Sequence, residues 1–361
     1  MTVFINGRFL LQPLSGVQRY AREMVRALDA LASRGEASEM LLLCPPGAPR
    51  LGLNYIEQRT VGGGAGHGWE QWAFARAARG GVALSLAMSG PLLHRRQLVV
   101  IHDAAVHRCP THFSRRYVTG HRLLERGLAR RARIATVSQF SRRELAAVLG
   151  LAERDILVAS NGADHARGVR DTAVLRRLGV DGQPFFLTVG NQSPNKNLAV
   201  VARALALIDD PAVRLVVVGE PLARVFGEAT IAADPRSIIA GRLTDAEVAG
   251  LFGAARALVF PSRYEGFGLP PLEAMASGCP VLASDCAAVL EVCGDAGDHF
   301  GPDDAEALAR LMRRALADDG QWREARIAAG HQRAAKYRWA DSAAVLAQAC
   351  AAIGRDRVLA A

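Results

Sequence analysis

Two glutamates and two glycines stand close together in the last third of the chain. Glu265 and Glu273 are separated by seven residues, and Gly266 and Gly268 lie between them. Residues 257–260 form an apolar strand pattern before them, and a helical pattern covers Glu273. Glycine lets a backbone approach a ligand closely, and the free N–H groups of a helix N-terminus attract anions. The segment therefore predicts an anion site at a strand end, where ligands bind in open parallel sheets. A capping Glu265 and a solvent-facing Glu273 are the alternative.

Lysine is so rare in this chain that its position is informative. Of the 44 basic residues, only Lys196 and Lys336 are lysines. Lys196 follows the predicted strand 185–189, in a loop of sequence Gly-Asn-Gln-Ser-Pro-Asn-Lys. A compact ammonium there is either an anion ligand or an ordinary surface charge.

Three further candidates lie in the first half of the chain. His102 follows the predicted strand 98–101, and Asp103 could fix its tautomer or cap the next segment. A satisfied, semi-buried structural histidine is the alternative. Gly16 is expected in the turn after the first strand, either beside a ligand or as a plain turn glycine.

Short apolar runs alternate with helical patterns along the whole chain, which indicates the elements that must position these residues. The helical patterns include residues 17–31 and 142–149, and no strand is predicted after Gly301. Strands alternating with crossover helices predict parallel sheets covered on both faces. The predicted strands are residues 3–5, 40–44, 55–61, 82–86, 98–101, 134–137 and 156–159, then 185–189, 215–218, 238–240, 257–260 and 281–283. Two such series predict two doubly wound α/β lobes, joined by a polar linker near residues 162–183.

Composition agrees with a globular, two-lobed chain. It has 361 residues, half of them hydrophobic and 22% charged, which is the size of two ordinary domains. We expect neither a membrane span nor a secretory leader. Six cysteines favour a reduced, intracellular protein. Cys279, Cys286 and Cys293 are spaced by seven without a CxxC pair, so they are interpreted as small semi-buried residues rather than metal ligands.

The net charge of +9 belongs mainly to the first half, where residues 113–133 form a basic amphipathic pattern. At 100° per residue, one group of arginines shares an arc, and an apolar group lies opposite. The arginines are Arg115, Arg122, Arg126, Arg130 and Arg133, and the apolar group is Phe113, Tyr117, Leu124 and Leu128. A solvated face, an anionic membrane surface and nucleic acid are the possible interpretations. Aromatic residues are few, so nucleic acid is disfavoured.

Two other motifs are absent. The glycine-rich residues 62–68 lack the dinucleotide-binding spacing, because His67 and Gln71 occupy the decisive places, so a flexible loop is expected. No DxD pair occurs, which disfavours a metal-held diphosphate.

The segment EGFGLPPLEAMASGCPV at residues 265–281 resembles the retaining family-four, or group 1, glycosyltransferases, whose hallmark is Glu, seven residues, Glu. Further matches follow the family's order along nearly the whole chain. They are SGVQRY at 15–20, VVIHD at 99–103, TVSQFSRREL at 136–145, SNGAD at 160–164, LTVGNQSPNKNL at 187–198 and GRLTDAEVAGLF at 241–252.

The resemblance implies the GT-B fold, with two Rossmann-like doubly wound parallel-sheet domains facing each other across a cleft. Residues 1–167 would bind the acceptor and residues 168–342 the nucleotide-sugar. Residues 343–361 would form a helix crossing back to the first domain.

The resemblance also implies roles for the candidates. Glu273 would hold the ribose hydroxyls and Glu265 the donor-sugar hydroxyls. Lys196 would neutralise the diphosphate. The same resemblance places further residues in the donor site, namely His102 and Asp103 against the sugar, Gly16 beside the diphosphate, and Gly266, Phe267, Gly268 and Leu269 in the loop with its backbone N–H groups.

One position departs from the family. Many relatives have an arginine close to the glycine that ends the strand, and this chain has Asn191 there, so Arg263 is expected to assist Lys196.

The resemblance implies a metal-independent, retaining hexosyltransferase without a cofactor, using a GDP- or UDP-linked sugar, with mannose preferred. The acceptor would be a glycan or lipid-linked saccharide of polysaccharide or lipopolysaccharide biosynthesis. The expected location is cytoplasmic, with peripheral docking through the arginine-rich helix 113–133 to the inner membrane face and no nucleic-acid partner. A sugar-nucleotide 2-epimerase of the same fold and a non-catalytic nucleotide-sugar- or membrane-binding protein are the alternatives.

Overall fold

The computed structural model describes residues 1–191, 193–219 and 234–355. They form two compact units, one of residues 1–162 with 338–355 and one of residues 163–337. The domain boundaries expected from the sequence, after residues 167 and 342, each lie five residues later than these. Each unit is a Rossmann-like parallel α/β structure with helices between its strands. Two such units in one chain are the GT-B class of fold.

The first unit is built on a seven-stranded parallel sheet of order β3-β2-β1-β4-β5-β6-β7. Its strands are β1 (Val3–Asn6), β2 (Met40–Cys44), β3 (Glu57–Thr60), β4 (Val82–Ser85), β5 (Gln97–Val100), β6 (Arg133–Thr136) and β7 (Ile156–Val158). Its helices are α1 (Gly16–Ser33), α2 (Gly66–Trp69), α3 (Ala75–Ala77), α4 (Ala105–Arg108), α5 (Arg115–Ala129) and α6 (Gln139–Leu149). A π-helical turn, Glu70–Phe74, joins α2 to α3. The strand order reverses between β1 and β4, which makes the carboxyl ends of these two strands the topological switch point.

The second unit is built on a six-stranded parallel sheet of order β10-β9-β8-β11-β12-β13. Its strands are β8 (Phe185–Val189), β9 (Arg214–Val218), β10 (Ser237–Gly241), β11 (Ala257–Phe260), β12 (Val281–Ser284) and β13 (Asp298–Phe300). Its helices are α7 (Ala173–Arg177), α8 (Leu198–Ala206), α9 (Asp245–Ala254), α10 (Leu269–Ala276), α11 (Ala287–Cys293), α12 (Ala305–Ala317) and α13 (Gln321–Ala334). The switch point here lies between β8 and β11.

The last described helix, α14 (Trp339–Arg355), packs on α1 in the first unit. Trp339 makes an edge contact with Tyr20, with ring centroids 5.7 Å apart. A Cβ at Gly162 would lie 2.4 Å from the Trp339 amide nitrogen. The chain therefore needs glycine at this position to let α14 seat.

Apolar side chains of the strands fill both sides of each sheet. In the second unit the core includes Phe186, Val217, Val259 and Leu282, all buried. Strands buried on both faces read as continuous apolar runs, which is why most of their bounds agree with the sequence pattern. β13 was missed because Asp298-His299-Phe300 is an edge strand with one apolar residue.

The basic helix is shorter than expected. Ser114 caps α5 by accepting a hydrogen bond from the Tyr117 N–H, so Phe113 lies before the helix. α5 ends at Ala129, and Arg133 opens β6. The predicted apolar face is also incomplete, because Tyr117 is 45% exposed. None of the described helices is long and apolar enough to cross a membrane.

Candidate active site

Lys196 and Glu265 meet in the second unit, although 69 residues separate them. Lys196 Nζ donates to Glu265 Oε1 at 2.5 Å, and the side chains are only 18% and 15% exposed. Lys196 lies in a 3₁₀ turn, Pro194–Lys196, after β8, and Glu265 lies in the loop after β11. Partial burial lowers the local dielectric and strengthens the attraction of these charges for each other and for a ligand.

Asn197 joins the loops that carry this pair. Its backbone is left-handed, with φ 53°, a conformation that asparagine tolerates better than most residues. The side-chain Nδ2 donates to the carbonyls of Pro261 and Pro302 at 3.2 and 2.6 Å. Pro261 follows β11 and Pro302 follows β13, so a single buried side chain ties together three loops at the carboxyl edge of the sheet.

Arg263 is engaged elsewhere than expected. Its guanidinium donates to both carboxylate oxygens of Asp303, at 2.8 and 2.5 Å, and to Asn197 Oδ1 at 2.9 Å. These hydrogen bonds hold the pKa of Asp303 below its ordinary value. Arg263 would have to leave both partners to bind a diphosphate, so in this structure it supports the loop and Lys196 is the cation of the candidate site.

The N-terminus of α10 offers fewer donors than a typical helix. Pro270 and Pro271 occupy its second and third positions and have no N–H. Gly268 precedes the helix with φ 107°. In the part of the chain that the structure describes, the N–H groups of Gly268 and Leu269 have no acceptor. The two residues assigned by resemblance therefore supply the available donors.

The side chain of Phe267 packs into the interior of the second unit. It is buried, and its ring meets the Tyr337 ring edge-on at 5.6 Å. Gly266 beside it is buried as well. The Phe267 side chain therefore anchors the loop, and only its backbone can serve the donor site expected here.

Glu273 contacts a residue that sequence reasoning missed. His165 Nε2 donates to Glu273 Oε1 at 2.8 Å, and both side chains are largely buried. His165 lies in a 3₁₀ turn, Asp164–Arg167. The Ser277 hydroxyl in turn donates to the carbonyl of Ala166 at 3.2 Å, which fixes this turn against the end of α10.

The glycines after β8 and β9 allow two loops to approach closely. A Cβ at Gly219 would lie 1.9 Å from the Gly190 carbonyl oxygen, and the φ of Gly219 is 144°. No other residue fits there. Next to Gly190, Asn191 is exposed, and its Oδ1 accepts a hydrogen bond from the Ser193 hydroxyl at 2.9 Å.

His102 is buried at the carboxyl end of β5 in the first unit. Its Nε2 lies 2.9 Å from the Leu86 carbonyl oxygen, which can only accept, so Nε2 carries the proton. Burial lowers the pKa of His102 to about 4, so the ring is neutral near pH 7. Asp103 does not set this tautomer. Its Oδ1 accepts from the Ala105 N–H at 2.8 Å, which is the capping role.

Gly16 is the first residue of α1, not part of the turn directly after β1. A Cβ at this position would meet no atom of the described chain within 4 Å, and its φ is not among the positive values. Neither packing nor backbone strain therefore explains a glycine here.

The cysteines are packing residues. All six are free, and five of them are buried. Burial raises the pKa of Cys279 and of Cys293 to about 12. Among the described residues, no three His, Cys, Asp or Glu side chains converge to hold a metal ion.

Comparison with known proteins relates this chain to characterised enzymes. The family model "Glycosyl transferases group 1" matches residues 174–333. The O-antigen chain mannosyltransferase B of Escherichia coli is 29% identical over 91% of this chain and 93% of its own length. The chain is a glycosyltransferase whose second unit matches the group 1 family.

Solved structures share the fold of nearly the whole chain. Sucrose-phosphate synthase from Thermosynechococcus elongatus aligns with a TM-score of 0.73 and 19% identity, over 96% of this chain and 97% of that chain. HepE of Anabaena, in complex with UDP-glucose, aligns with a TM-score of 0.72 and 18% identity, over 98% of this chain and 100% of that chain. At these identities the likeness concerns the fold alone.

The matched group 1 segment contains Lys196, Glu265 and Glu273, and the structure brings the first two into contact. Gly16 and His102 lie outside it, in the other unit. The residues missed by sequence reasoning each had a local signal. His165 directly follows SNGAD, Asn197 follows Lys196, and Gly219 ends an apolar strand.

Proposed function

We propose that this glycosyltransferase moves a hexose, with mannose preferred, from a GDP- or UDP-linked sugar to a glycan or lipid-linked saccharide, with retention of anomeric configuration. The contact between Lys196 and Glu265 is the observation that carries the proposal, because it places a cation and a hydroxyl-binding carboxylate at one sheet edge. The E. coli relative, by name an O-antigen mannosyltransferase, supports mannose and polysaccharide biosynthesis. The HepE complex supports a nucleotide-sugar donor.

The donor diphosphate would contact Lys196 Nζ and the N–H groups of Gly268 and Leu269. Glu265 would then accept hydrogen bonds from the donor sugar and Glu273 from the ribose. Lys196 and Glu265 hold each other before the donor arrives, so neither charge is left unpaired in the half-buried site. The exposed Asn191 adds no charge, which leaves the neutralisation mainly to Lys196.

The chemistry needs charge stabilisation more than a nucleophile. As the anomeric C–O bond to phosphate breaks, positive charge develops on the sugar and negative charge on the departing diphosphate. The acceptor oxygen forms the new bond to C1 from the same face, and its proton passes to the leaving phosphate oxygen. Lys196 and the N–H groups of α10 stabilise that oxygen without a metal ion, so full activity in EDTA is expected.

His102 would contribute as a neutral group. Its Nε2 is held by the Leu86 carbonyl, which leaves Nδ1 as a hydrogen-bond acceptor for a sugar hydroxyl. Gly16 would keep the start of α1 open for the diphosphate.

The arginines of α5 support docking of a cytoplasmic enzyme to an anionic inner membrane leaflet. Arg115, Arg116, Arg126 and Arg130 are exposed, and Leu123 is exposed among them. Arg122 donates hydrogen bonds to the carbonyls of Val106 and His107 and is not available to a membrane. Each exposed basic residue near an anionic surface contributes about 1 kcal/mol.

Co-sedimentation with vesicles containing anionic lipid tests this docking. Replacing the four exposed arginines with glutamine should abolish binding, whereas Arg310→Gln in the second unit should not. Binding that does not depend on anionic lipid would exclude docking through α5.

Donor use is tested with purified protein and single sugar nucleotides, by following thermal shift and slow nucleotide release. Ligand binding to the native state raises its stability. One sugar nucleotide should stabilise the protein and be hydrolysed slowly, and both effects should disappear in Lys196→Ala and Glu265→Ala. The exposed Lys336→Ala is the matched control. If no sugar nucleotide binds, the proposal is wrong.

A further inference from the structure

A buried ionic network lies at the switch point of the first sheet, outside the donor site described above. Arg8 Nε donates to Glu70 Oε2 at 3.1 Å, and Arg8 Nη2 donates to the Ser89 hydroxyl at 2.6 Å. The Ser89 hydroxyl donates to the same Glu70 oxygen at 2.9 Å. Asn6 Nδ2 donates to it as well, at 2.8 Å. Glu70 is fully buried, and an arginine and two further hydrogen-bond donors satisfy this carboxylate oxygen inside the unit.

The network joins the carboxyl ends of two adjacent strands. Asn6 is the last residue of β1 and Ser85 the last of β4, and Asn6 Nδ2 lies 3.3 Å from the Ser85 hydroxyl. These are the strands between which the order reverses. Ligands bind in the crevice at such a point in open parallel sheets. The position is therefore that of a binding site, and stability alone does not require a buried ion pair there.

Glu70 lies in a stretch of irregular backbone. Glu70 opens the π-helical turn Glu70–Phe74, and π-helical turns occur frequently at functional sites. The glycine-rich residues 62–68 lead into it, with positive φ at Gly62, Gly64 and Gly66. This loop, which sequence reasoning expected to be merely flexible, is the segment that places His67 beside Glu70, with His67 Nδ1 3.3 Å from Glu70 Oε1.

A column of rings continues from the network toward solvent. The His67 and His121 rings meet edge-on with centroids 6.0 Å apart. His121 stacks on Tyr117 at 4.0 Å, and Tyr117 stacks on Phe113 at 5.3 Å. Tyr117 stays 45% exposed while both neighbours hold its ring in place. The result is a pre-organised hydroxyl and imidazole at the outer end of a buried polar network.

The chemistry of this surface fits a neutral polyol. Arg8 is neutralised by Glu70, so the site has little attraction for an anion such as a phosphate. The groups it presents to solvent are the His67 imidazole and the Tyr117 hydroxyl, which lie beside stacked aromatic ring faces. Closely spaced donors and acceptors beside apolar ring surface are what a pyranose, with vicinal hydroxyls and C–H faces, requires.

We propose that Arg8, His67, Glu70, Tyr117 and His121 form the subsite for the saccharide end of the acceptor. This proposal rests on the proposed glycosyltransferase function and adds to it the residues that would recognise the acceptor. Arg8 and Glu70 are buried and hold the subsite in place from beneath, and His67 and Tyr117 are its solvent-facing contacts.

The test separates acceptor use from donor use. Wild-type protein, Tyr117→Ala and His67→Ala would each be assayed for hydrolysis of GDP-mannose by water and for transfer to octyl α-mannoside. Both variants should keep hydrolysis within about twofold of wild type and raise the KM for octyl α-mannoside at least tenfold. Tyr117→Phe should lose less than Tyr117→Ala, because the ring column is kept.

Tyr55→Ala is the matched control. Tyr55 is 64% exposed and precedes β3, at the opposite edge of the same parallel sheet. It should leave both reactions unchanged.

A second readout does not depend on turnover. The ring resonances of His67 and His121 should shift when α-mannobiose is titrated into the wild-type protein, and Tyr117→Ala should abolish these shifts. Unchanged acceptor KM in both variants, or no shift of either ring, would overturn the subsite. Absence of GDP-mannose and UDP-sugar hydrolysis in the wild type would instead contradict the proposed function.

Discussion

Lys196 and Glu265 form an ion pair whose Nζ and Oε1 atoms lie 2.5 Å apart, at the carboxyl edge of the second sheet. The pair bridges the loops after β8 and β11, the two strands between which the strand order reverses. A charge pair at this edge can exchange its internal contact for contacts with a donor, because both side chains retain some exposure. The donor chemistry proposed for this enzyme follows from that placement.

Loss of the lysine should abolish most of the transfer without unfolding the protein. Lys196→Ala should lower kcat by about 100-fold or more, as removal of one oxyanion-stabilising group commonly does, because the leaving diphosphate loses its cation. Steady-state kinetics with the stabilising sugar nucleotide measures it. Lys196→Arg should recover part of the rate, and Lys336→Ala should match wild type. A Lys196→Ala enzyme of normal kcat would remove Lys196 from the mechanism.

Gly16→Ala should separate ligand contact from folding. A Cβ there meets no atom of the described chain, so the melting temperature should stay that of the wild type while the donor Kd rises about tenfold or more. Isothermal titration with the donor nucleotide measures the affinity. Gly219→Ala is the contrasting variant, because its Cβ would overlap the Gly190 carbonyl, and it should fail to fold normally. Unchanged donor affinity in Gly16→Ala would make Gly16 an ordinary helix-start glycine.

Asn197 should be worth more to stability than an exposed asparagine. Asn197→Ala removes two donated hydrogen bonds and one accepted from Arg263. It also places alanine at a positive φ, which alanine tolerates less well than asparagine. We expect the free energy of unfolding to fall by about 2–4 kcal/mol. Asn197→Gly should lose less, since it relieves the backbone strain but not the hydrogen bonds. Urea unfolding measures both. Equal stability of the alanine variant and the wild type would contradict this role.

Acid should destabilise the first unit through His102. Its pKa is lowered from 6.5 to about 4 by burial, so between these values the unfolded chain binds a proton that the folded chain does not. Stability is therefore complete above pH 6.5 and declines as the pH falls toward 4, by up to about 3 kcal/mol from this residue. The free energy of unfolding of His102→Gln should fall less over this window. Parallel pH profiles for the two proteins would show that His102 titrates normally in the folded state.

The fold and the candidate residues of the site could be predicted from the sequence because both depend on local pattern. Continuous apolar runs separated by helical periodicity specify strands buried on both faces. The spacing of Glu265 and Glu273 can be read directly from the sequence. Edge strands such as β13 escape this pattern, since only one face of an edge strand needs to be apolar.

The tertiary structure alone decided which long side chains meet. The sequence around Arg263 does not predict that its guanidinium donates to Asp303. Likewise, the sequence around Arg8 does not predict its buried ion pair with Glu70. These contacts join residues far apart in sequence, and they depend on how parallel strands align their carboxyl ends at one edge. Spacing along the chain therefore determined the elements and the candidate residues, while sheet order and loop packing determined their partners.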